Sequence, residues 1–562
     1  MKVTPPSPLK PVTYTVDGAS RITSITDGKG QVTTFKYDAL DHLTKITYND
    51  GSSISYSFDN EGNVTSEADN TGTTTFKYDA DNRVTKKTLP GGQTIVTAYD
   101  HVGNLTTFTD SGGTVTYAYT PVNLVASITE PNGSQTTFSY NTANERTGET
   151  FPNKVSVDLD YDNAGHLDKI IATNSNNQTL IDMQYSYQLP NSSSFSNLLQ
   201  KMSFQDPVYP SNGTLTWVYS YDTMSRLTGA DLLNSNNQEV TDFLYTYDKA
   251  GNRTQFQETG SSTTVNYSYN AAEELASSTQ GSKTTTYSYD ANGNLTGSST
   301  GPAYSYNPKN QTTSIGTDSY TYTGTDQTER VQVNNVSYEY SGLGLSAKTN
   351  SSGTDYYTRC SCGMLIGERT NTGKEYYYLL DAQESVVGVM DSSGNLVNGY
   401  VYDPFGNLFE QNETVANPWQ YASGYLDSTT GLYHFGARYY DPTLGRWTQQ
   451  DPLPGQLSNP DSLNPYLYVD DNPVNGTDTS GKYTFAQWWD VTGACLSSAV
   501  IAPLLGLGTV LTLLAAAAPE ILAVLGVTAP AWFPWVIIGA AAFTIGVVVG
   551  CAAFATFGYH YS

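Results

Sequence analysis

A dipeptide that returns with an almost fixed period constrains this chain more than any other feature of it. Tyr37-Asp38, Phe58-Asp59, Tyr78-Asp79, Tyr99-Asp100, Tyr119-Thr120, Tyr140-Asn141 and Tyr161-Asp162 follow one another every 20 or 21 residues. After an irregular stretch the series resumes at Tyr221-Asp222, Tyr247-Asp248, Tyr269-Asn270, Tyr289-Asp290 and Tyr306-Asn307. Such self-similarity marks a repeat architecture, in which each unit buries its apolar face against its neighbours. Within one unit Thr33, Phe35 and Tyr37 alternate with Thr34 and Lys36, the period of two expected of a strand. The Asp that follows can accept hydrogen bonds from backbone amides two residues on, and the Gly or Asn after it tolerates the positive φ that reverses the chain. An aliphatic-Thr pair then opens the next strand. About 20 residues hold two strands and two turns, so each repeat is expected to add one antiparallel pair to a growing sheet.

A sheet of that length twists, and its edges must be closed or covered. Spiral closure satisfies both needs, although a linear solenoid or a propeller fits the same period. Composition agrees with strands and turns: 44 Tyr and 49 Gly, with few Ala/Leu/Glu/Lys runs before residue 494. The first 480 residues are therefore expected to be all-β. The repeated tyrosines fit packing between neighbouring units better than an exposed platform for sugars.

The formal net charge of −26, with 27 Lys plus Arg, leaves no basic surface to track phosphates, so nucleic acid is not an expected partner. Four cysteines do not make a disulfide framework. Cys360-Ser361-Cys362 stands without His or further Cys at zinc spacing, so a structural role is expected and no metal or cofactor. Met1 to Tyr14 carries Pro5, Pro6, Pro8 and Pro11 and no apolar stretch of signal-peptide length. Export by another route, or a shortened relative of a longer protein, is the expectation from that start.

The unit Tyr-Asp-x-x-Gly-[Arg/Asn]-[Leu/Val]-Thr resembles the YD repeat of Rhs proteins, of the cocoon-forming component of insecticidal toxin complexes, and of teneurins. The resemblance covers roughly residues 14 to 481. A longer block is similar to the Rhs repeat-associated core. It runs from Tyr357 through Gly363-Met364-Leu365, Tyr400-Val401-Tyr402-Asp403-Pro404-Phe405-Gly406 and Gly431-Leu432-Tyr433-His434-Phe435-Gly436-Ala437-Arg438 to Asn472-Pro473-Val474-Asn475. Glu384-Ser385 departs from the Gly-Ser usual there. The resemblance implies an all-β, spiralling shell of antiparallel hairpins with a core plug at one end, and a variable chain after the core held inside as cargo. The expected divisions are a Pro-rich segment at 1–13, the YD-repeat shell at 14–350, the core at 351–481 and a variable hydrophobic tail at 482–562.

Many relatives cut themselves free of the cargo by aspartyl-protease-like chemistry. The resemblance carries the two family aspartates to Asp451 and Asp478, with the scissile bond after Lys482. Two carboxylates sharing a proton can activate water and polarise a carbonyl. Thr479 stands for the usual Pro and Lys482 for the usual Leu, and the alternative is that Asp451 and Asp478 only cap turns.

After Gly481 the composition changes abruptly: Lys482, Asp490 and Glu520 are the charged residues to the end, with His560 near it. Cys495 to Ala518 and Trp532 to Phe557 are each long enough for a helix spanning about 30 Å of hydrocarbon. With Pro519 and Pro530 between them, the tail is expected to be a helical hairpin, membrane-associated through 495–557 or held in the shell's lumen. It lacks the acidic, His or metal-ligand sets of a nuclease or deaminase, so an enzyme toxin is not expected. The leading expectation is a secreted or cell-surface device that sheathes this apolar segment and delivers it to a target membrane, with delivery machinery and an immunity protein as further partners. A membrane-anchored module binding carbohydrate or another cell, and a shell without a working toxin, are the alternatives.

Overall fold

The computed structural model describes residues 1–259, 263–455, 460–482 and 486–487. Antiparallel ladders join consecutive strands almost throughout. A 27-stranded sheet takes the chain from Lys2–Val3 to Leu295–Ser298, and a 12-stranded sheet from Tyr304–Tyr306 to Leu408–Glu413. A 4-stranded sheet follows, from Tyr425–Asp427 to Arg446–Trp447. Among the described residues there is no α-helix, only short 3-10 turns. The expectation that the first 480 residues are all-β holds for those that are described. The helical hairpin expected of the tail falls outside the described residues, and among those described no helix is long and apolar enough to cross a membrane.

One repeat shows why the sequence folds this way. In the strand Gly72–Tyr78, Thr74 and Phe76 are buried while Thr73, Thr75 and Lys77 are exposed, the alternation that a sheet with one covered face requires. At Tyr99-Asp100 the turn closes with the Gly103 amide on the Asp100 carbonyl at 3.2 Å and the Asp100 amide on the Asn104 carbonyl at 2.9 Å. Gly103 has φ +99, so the loop is a type I turn ended by a left-handed residue. Asp100 Oδ1 accepts from the amides of Val102 at 3.0 Å and Asn104 at 2.8 Å.

Two further functions of the repeat residues emerge from the structure. The side chain four residues after the Asp folds back on its second oxygen: Arg83 Nε donates to Asp79 at 2.8 Å, Asn104 Nδ2 to Asp100 at 2.8 Å, and a His166 ring nitrogen lies 3.0 Å from Asp162. Each repeat tyrosine reaches back one unit. Tyr37 donates to the carbonyl of Ile22 at 2.8 Å, Tyr78 to Val64 at 2.7 Å, Tyr119 to Leu105 at 2.8 Å and Tyr402 to Val386 at 2.7 Å. The Arg guanidinium of one turn lies over the next repeat's ring, 4.9 Å for both Arg21 on Tyr37 and Arg83 on Tyr99. At Arg359-Cys360, which replaces Tyr-Asp, the Cys360 sulfur accepts from the Cys362 amide at 3.0 Å and is bonded to the Cys362 sulfur.

The end of the first sheet meets its own beginning, where Asn292 donates to Asp27 at 2.7 Å. The second sheet then follows the first in the same order: the Gly324 amide donates to Asp69 at 2.9 Å, and Lys87 to Glu329 at 2.8 Å. Further along, Tyr117 donates to the Arg359 carbonyl at 2.9 Å, Glu130 pairs with Arg369 at 3.3 Å, and Asn153 donates to the Asp391 carbonyl at 2.9 Å. Contacts that advance together along both partners describe two courses wound the same way.

The segment after the second sheet runs across successive YD turns, three of the first sheet and the opening turn of the second. Asn464 donates to the Ala250 carbonyl at 3.0 Å, Arg446 to Glu273 at 2.6 Å, Tyr466 to Gly293 at 2.7 Å and Gln449 to Asn310 at 2.7 Å. An aromatic cluster of Tyr421, Tyr433, Phe435, Tyr440, Trp447 and Tyr468 stabilises it, with Tyr440 and Tyr468 ring centroids 4.4 Å apart.

Candidate functional site

The two aspartates singled out from the sequence meet at one buried guanidinium. Arg438 opens the strand Arg438–Asp441, and its side chain lies against the Trp447 ring with Cζ 4.1 Å from the centroid. Its Nη2 is 2.6 Å from Asp451 Oδ2 and 3.2 Å from Asp478 Oδ2. The remaining donors are also used: Nε donates to the Gly481 carbonyl at 2.6 Å and Nη1 to the Pro465 carbonyl at 3.1 Å. All three charged side chains are buried. Burial lowers the Arg438 pKa, against the pull of the two carboxylates. Burial also raises Asp478 to about 6, although Arg438 and Ser480 favour its ionised form and Asp451 opposes it.

Two glycines let the exit segment, residues 478–482, come this close. Gly436, at φ +45, has the Ser480 carbonyl where a Cβ would stand, and Gly481, at φ +62, has the Phe435 carbonyl there. The Ala437 amide donates to the Ser480 carbonyl at 2.9 Å, fixing the register of residues 478–482 against the Phe435–Arg438 turn.

Lys482 is held at its backbone and at its side chain. Its amide lies 3.1 Å from Ser480 Oγ and 3.3 Å from Asp478 Oδ1, and its carbonyl oxygen is 2.9 Å from the Ser480 hydroxyl. Its ammonium reaches Asp326 Oδ2 at 3.0 Å. Ser480, Lys482 and Asp326 line one wall of a cavity of about 550 Å³, whose other walls include Lys87, Glu329 and Arg359 from the two courses. His434, on the same wall, is kept neutral by burial and by Arg330, and its Nε2 donates to the Gln327 carbonyl at 2.9 Å. Among the described residues no group of three or more His, Cys, Asp and Glu could hold a metal ion.

Sequence reasoning named Asp451, Asp478 and Lys482 and gave no role to Arg438, Ser480 or Asp326. Arg438 carried a signal: a lone cation inside the aromatic run Tyr433 to Tyr440 needs a buried partner. Ser480 and Asp326 carried none.

This geometry belongs to a shell of stacked β-hairpin repeats with a core segment across one row of turns. The chain is a member of the teneurin YD-shell family, which matches residues 67–230, 211–357 and 348–474, and residues 16–53 match the RHS repeat. It is 34% identical over 275 residues to tRNA3(Ser)-specific nuclease WapA of Bacillus spizizenii, covering 45% of this chain and 11% of that protein. Teneurin-1 of Gallus gallus is 25% identical over 311 residues, 49% of this chain and 11% of the relative. The chain thus spans about a tenth of the length of these relatives. The crystal structure of TcdB2-TccC3 superimposes with a TM-score of 0.68 at 17% identity, over 84% of this chain and 28% of that one, a likeness of fold.

Proposed function

We propose that the chain is a hollow shell that sheathes the segment following its core, severs that segment at the Lys482–Tyr483 bond, and releases it toward a membrane. The observation that carries this reading is the exit point. Residue 482 lines a cavity of about 550 Å³, and the carboxylates of Asp451 and Asp478 converge beside it. Two courses wound in one sense support the hollow form, and the segment crossing the YD turns supports a plug. Cleavage would divide the chain into the shell of residues 1–482, comprising repeats and core, and the apolar segment of residues 483–562.

In the chemistry proposed, ionised Asp451 takes a proton from a water that attacks the Lys482 carbonyl carbon. Protonated Asp478 and the Ser480 hydroxyl stabilise the oxygen on which charge develops. Collapse of the tetrahedral intermediate breaks the C–N bond, and the leaving amine of Tyr483 takes up the proton that Asp451 removed from the water, which returns Asp451 to its ionised form. Arg438 holds both carboxylates in place. Because Asp478 is raised to about 6, the protonated form this step needs is populated in mild acid and depleted above neutrality.

Residues 483–562 carry Asp490, Glu520 and His560 as their titratable acids and imidazole. That is too sparse a set for the nuclease chemistry that the WapA relatives are named for, and long apolar runs favour a membrane-directed cargo. The repeat tyrosines whose hydroxyls are spent on the preceding unit support internal packing over a sugar platform.

The experiment is the intact mass of the full chain, denatured at once, beside Asp451→Asn and Asp478→Asn. Fragments of residues 1–482 and 483–562 in the parent, and one full-length species in each variant, are expected. A single full-length species in all three would overturn self-cleavage and leave a shell with a tethered segment. Cleavage in the asparagine variants would overturn the roles of the two aspartates.

A further inference from the structure

We infer that Asp326 is the specificity residue of the cleavage: its carboxylate seats the Lys482 ammonium and thereby selects the bond that is cut. This rests on the self-cleavage reading above. Its starting point is residue 482, where the resemblance to the Rhs core leads to the expectation of Leu and this chain carries Lys.

A lysine ammonium taken largely out of water is unfavourable unless a counter-charge and hydrogen bonds compensate it. Here the Lys482 side chain is 20% exposed and that of Asp326 is 18% exposed, with Nζ and Oδ2 3.0 Å apart. Groups other than the lysine also hold the acceptor in place. Asp326 lies in the loop between the strands Asp318–Tyr322 and Arg330–Val333. The Thr328 amide donates to its Oδ1 at 2.9 Å, and Gln311 Nε2 donates to its backbone carbonyl at 2.6 Å. Burial opposes ionisation of this carboxyl, but the ammonium of Lys482 and the Thr328 donors outweigh it and hold the pKa below the usual carboxylate range. The pair is therefore unlike a solvated surface ion pair, which contributes little.

Position makes the pair selective. Lys482 is anchored at its amide and carbonyl by Ser480 and Asp478, and the preceding carbonyl by Arg438. A slip of one residue would present Gly481 or Tyr483 to Asp326, and neither bears a charge. The ammonium thus fixes the register that places the Lys482 carbonyl beside the two aspartates. Asp326 belongs to the second course, 156 residues before its partner, so the seat exists only once that course is folded against the core.

The test uses the full chain, with cleaved fraction against time and fragment masses assigned to the residue. Asp326→Ala is expected to slow cleavage by roughly tenfold or more, to spread it to neighbouring bonds, or both. Lys482→Arg should keep the parental rate and site, because Arg also reaches the carboxylate. The exchanged pair Asp326→Lys with Lys482→Glu should restore cleavage after residue 482. Parental rate and site in Asp326→Ala would overturn the inference while self-cleavage stands; an uncleaved parent would overturn both. If Asp326→Ala elutes as aggregate, the exchanged pair decides. Soluble and cut after 482, it supports the seat; soluble and uncut or cut elsewhere, it overturns it.

Discussion

The hydroxyl of a repeat tyrosine is the smallest unit on which neighbouring hairpins depend. It caps a carbonyl beyond the end of the ladder: the strands Val125–Thr129 and Gln135–Tyr140 pair through Ser127, Ile128 and Thr129, and Tyr140 donates to the unpaired end at the Val125 carbonyl, 2.9 Å away. Removing the hydroxyl leaves that carbonyl without its donor while changing almost no apolar area. Tyr140→Phe should therefore cost about 1 kcal/mol. Tyr209, which is 52% exposed, is the control, and Tyr209→Phe should leave the urea midpoint unchanged. Equal midpoints for both variants would show that the cross-repeat bond adds nothing. The Asp of the dipeptide works through acceptors as much as through charge. Asp100→Asn keeps one carbonyl oxygen for the amides of Val102 and Asn104 and should lose less than Asp100→Ala, for which about 1–2 kcal/mol is expected by analogy with a lost cap. The same urea unfolding series checks the order.

The hairpin is the element in which sequence and structure agree most closely, because its code is local. Alternating Thr and aromatic residues, an Asp that accepts from amides two and four residues on, and a left-handed residue two positions before the next strand all lie within one 20-residue window. The code also marks its own exceptions. Glu384 sits at φ +61 in the turn after Asp381, in the place where the resemblance expects Gly, a conformation that costs a non-glycine residue roughly 1–2 kcal/mol. Glu384→Gly is accordingly expected to raise the apparent melting temperature, with a gain of about 0.5–1 kcal/mol after the added freedom of the unfolded chain is counted. A fall on differential scanning fluorimetry would show that the Glu384 side chain contributes more than the strain removes. What the sequence could not disclose is which hairpins meet. Lys87 and Glu329, or Glu130 and Arg369, are separated by a whole course of the winding, and no periodicity links their positions. The candidate site has the same character: Asp451 and Asp478 were legible through a motif, whereas Arg438, Ser480 and Asp326 become partners only through the path of the chain between them.

At the scale of the whole molecule, a chain of net charge −26 with several buried carboxylates should respond to pH in a defined direction. Glu67, Glu149 and Glu368 are buried, and burial pushes each up to about 7, with Lys87, Arg146 and the Tyr378 hydroxyl respectively opposing that rise. In the unfolded chain a glutamate ionises near pH 4.3. Between these two values the folded molecule holds more protons than the unfolded one, so the contribution of these groups is fully present below about 4.3 and is lost as pH rises through 7. The turn aspartates act in the opposite sense and in a lower window. For Asp100 and Asp222 burial favours the neutral form, but the amide and side-chain donors of the turn outweigh it and hold the pKa down. Their stabilisation is present above the ordinary Asp range, near 3.9, and is lost only as pH falls below it. From pH 8 to pH 5, then, the buried glutamates titrate while the turns stay ionised, and relief of repulsion among the many acidic groups adds to the same trend. The apparent melting temperature should rise as pH falls from 8 to 5 and decline again below about 4, as the turn aspartates protonate. Glu67→Gln combined with Glu149→Gln removes two of the titrating groups, and the difference in melting temperature between pH 5 and pH 8 should shrink. A melting temperature that falls steadily from pH 8 to pH 5 in the parent would show that ion pairs across the two courses, Lys87–Glu329 and Arg369–Glu130 among them, outweigh the cost of burying carboxylates.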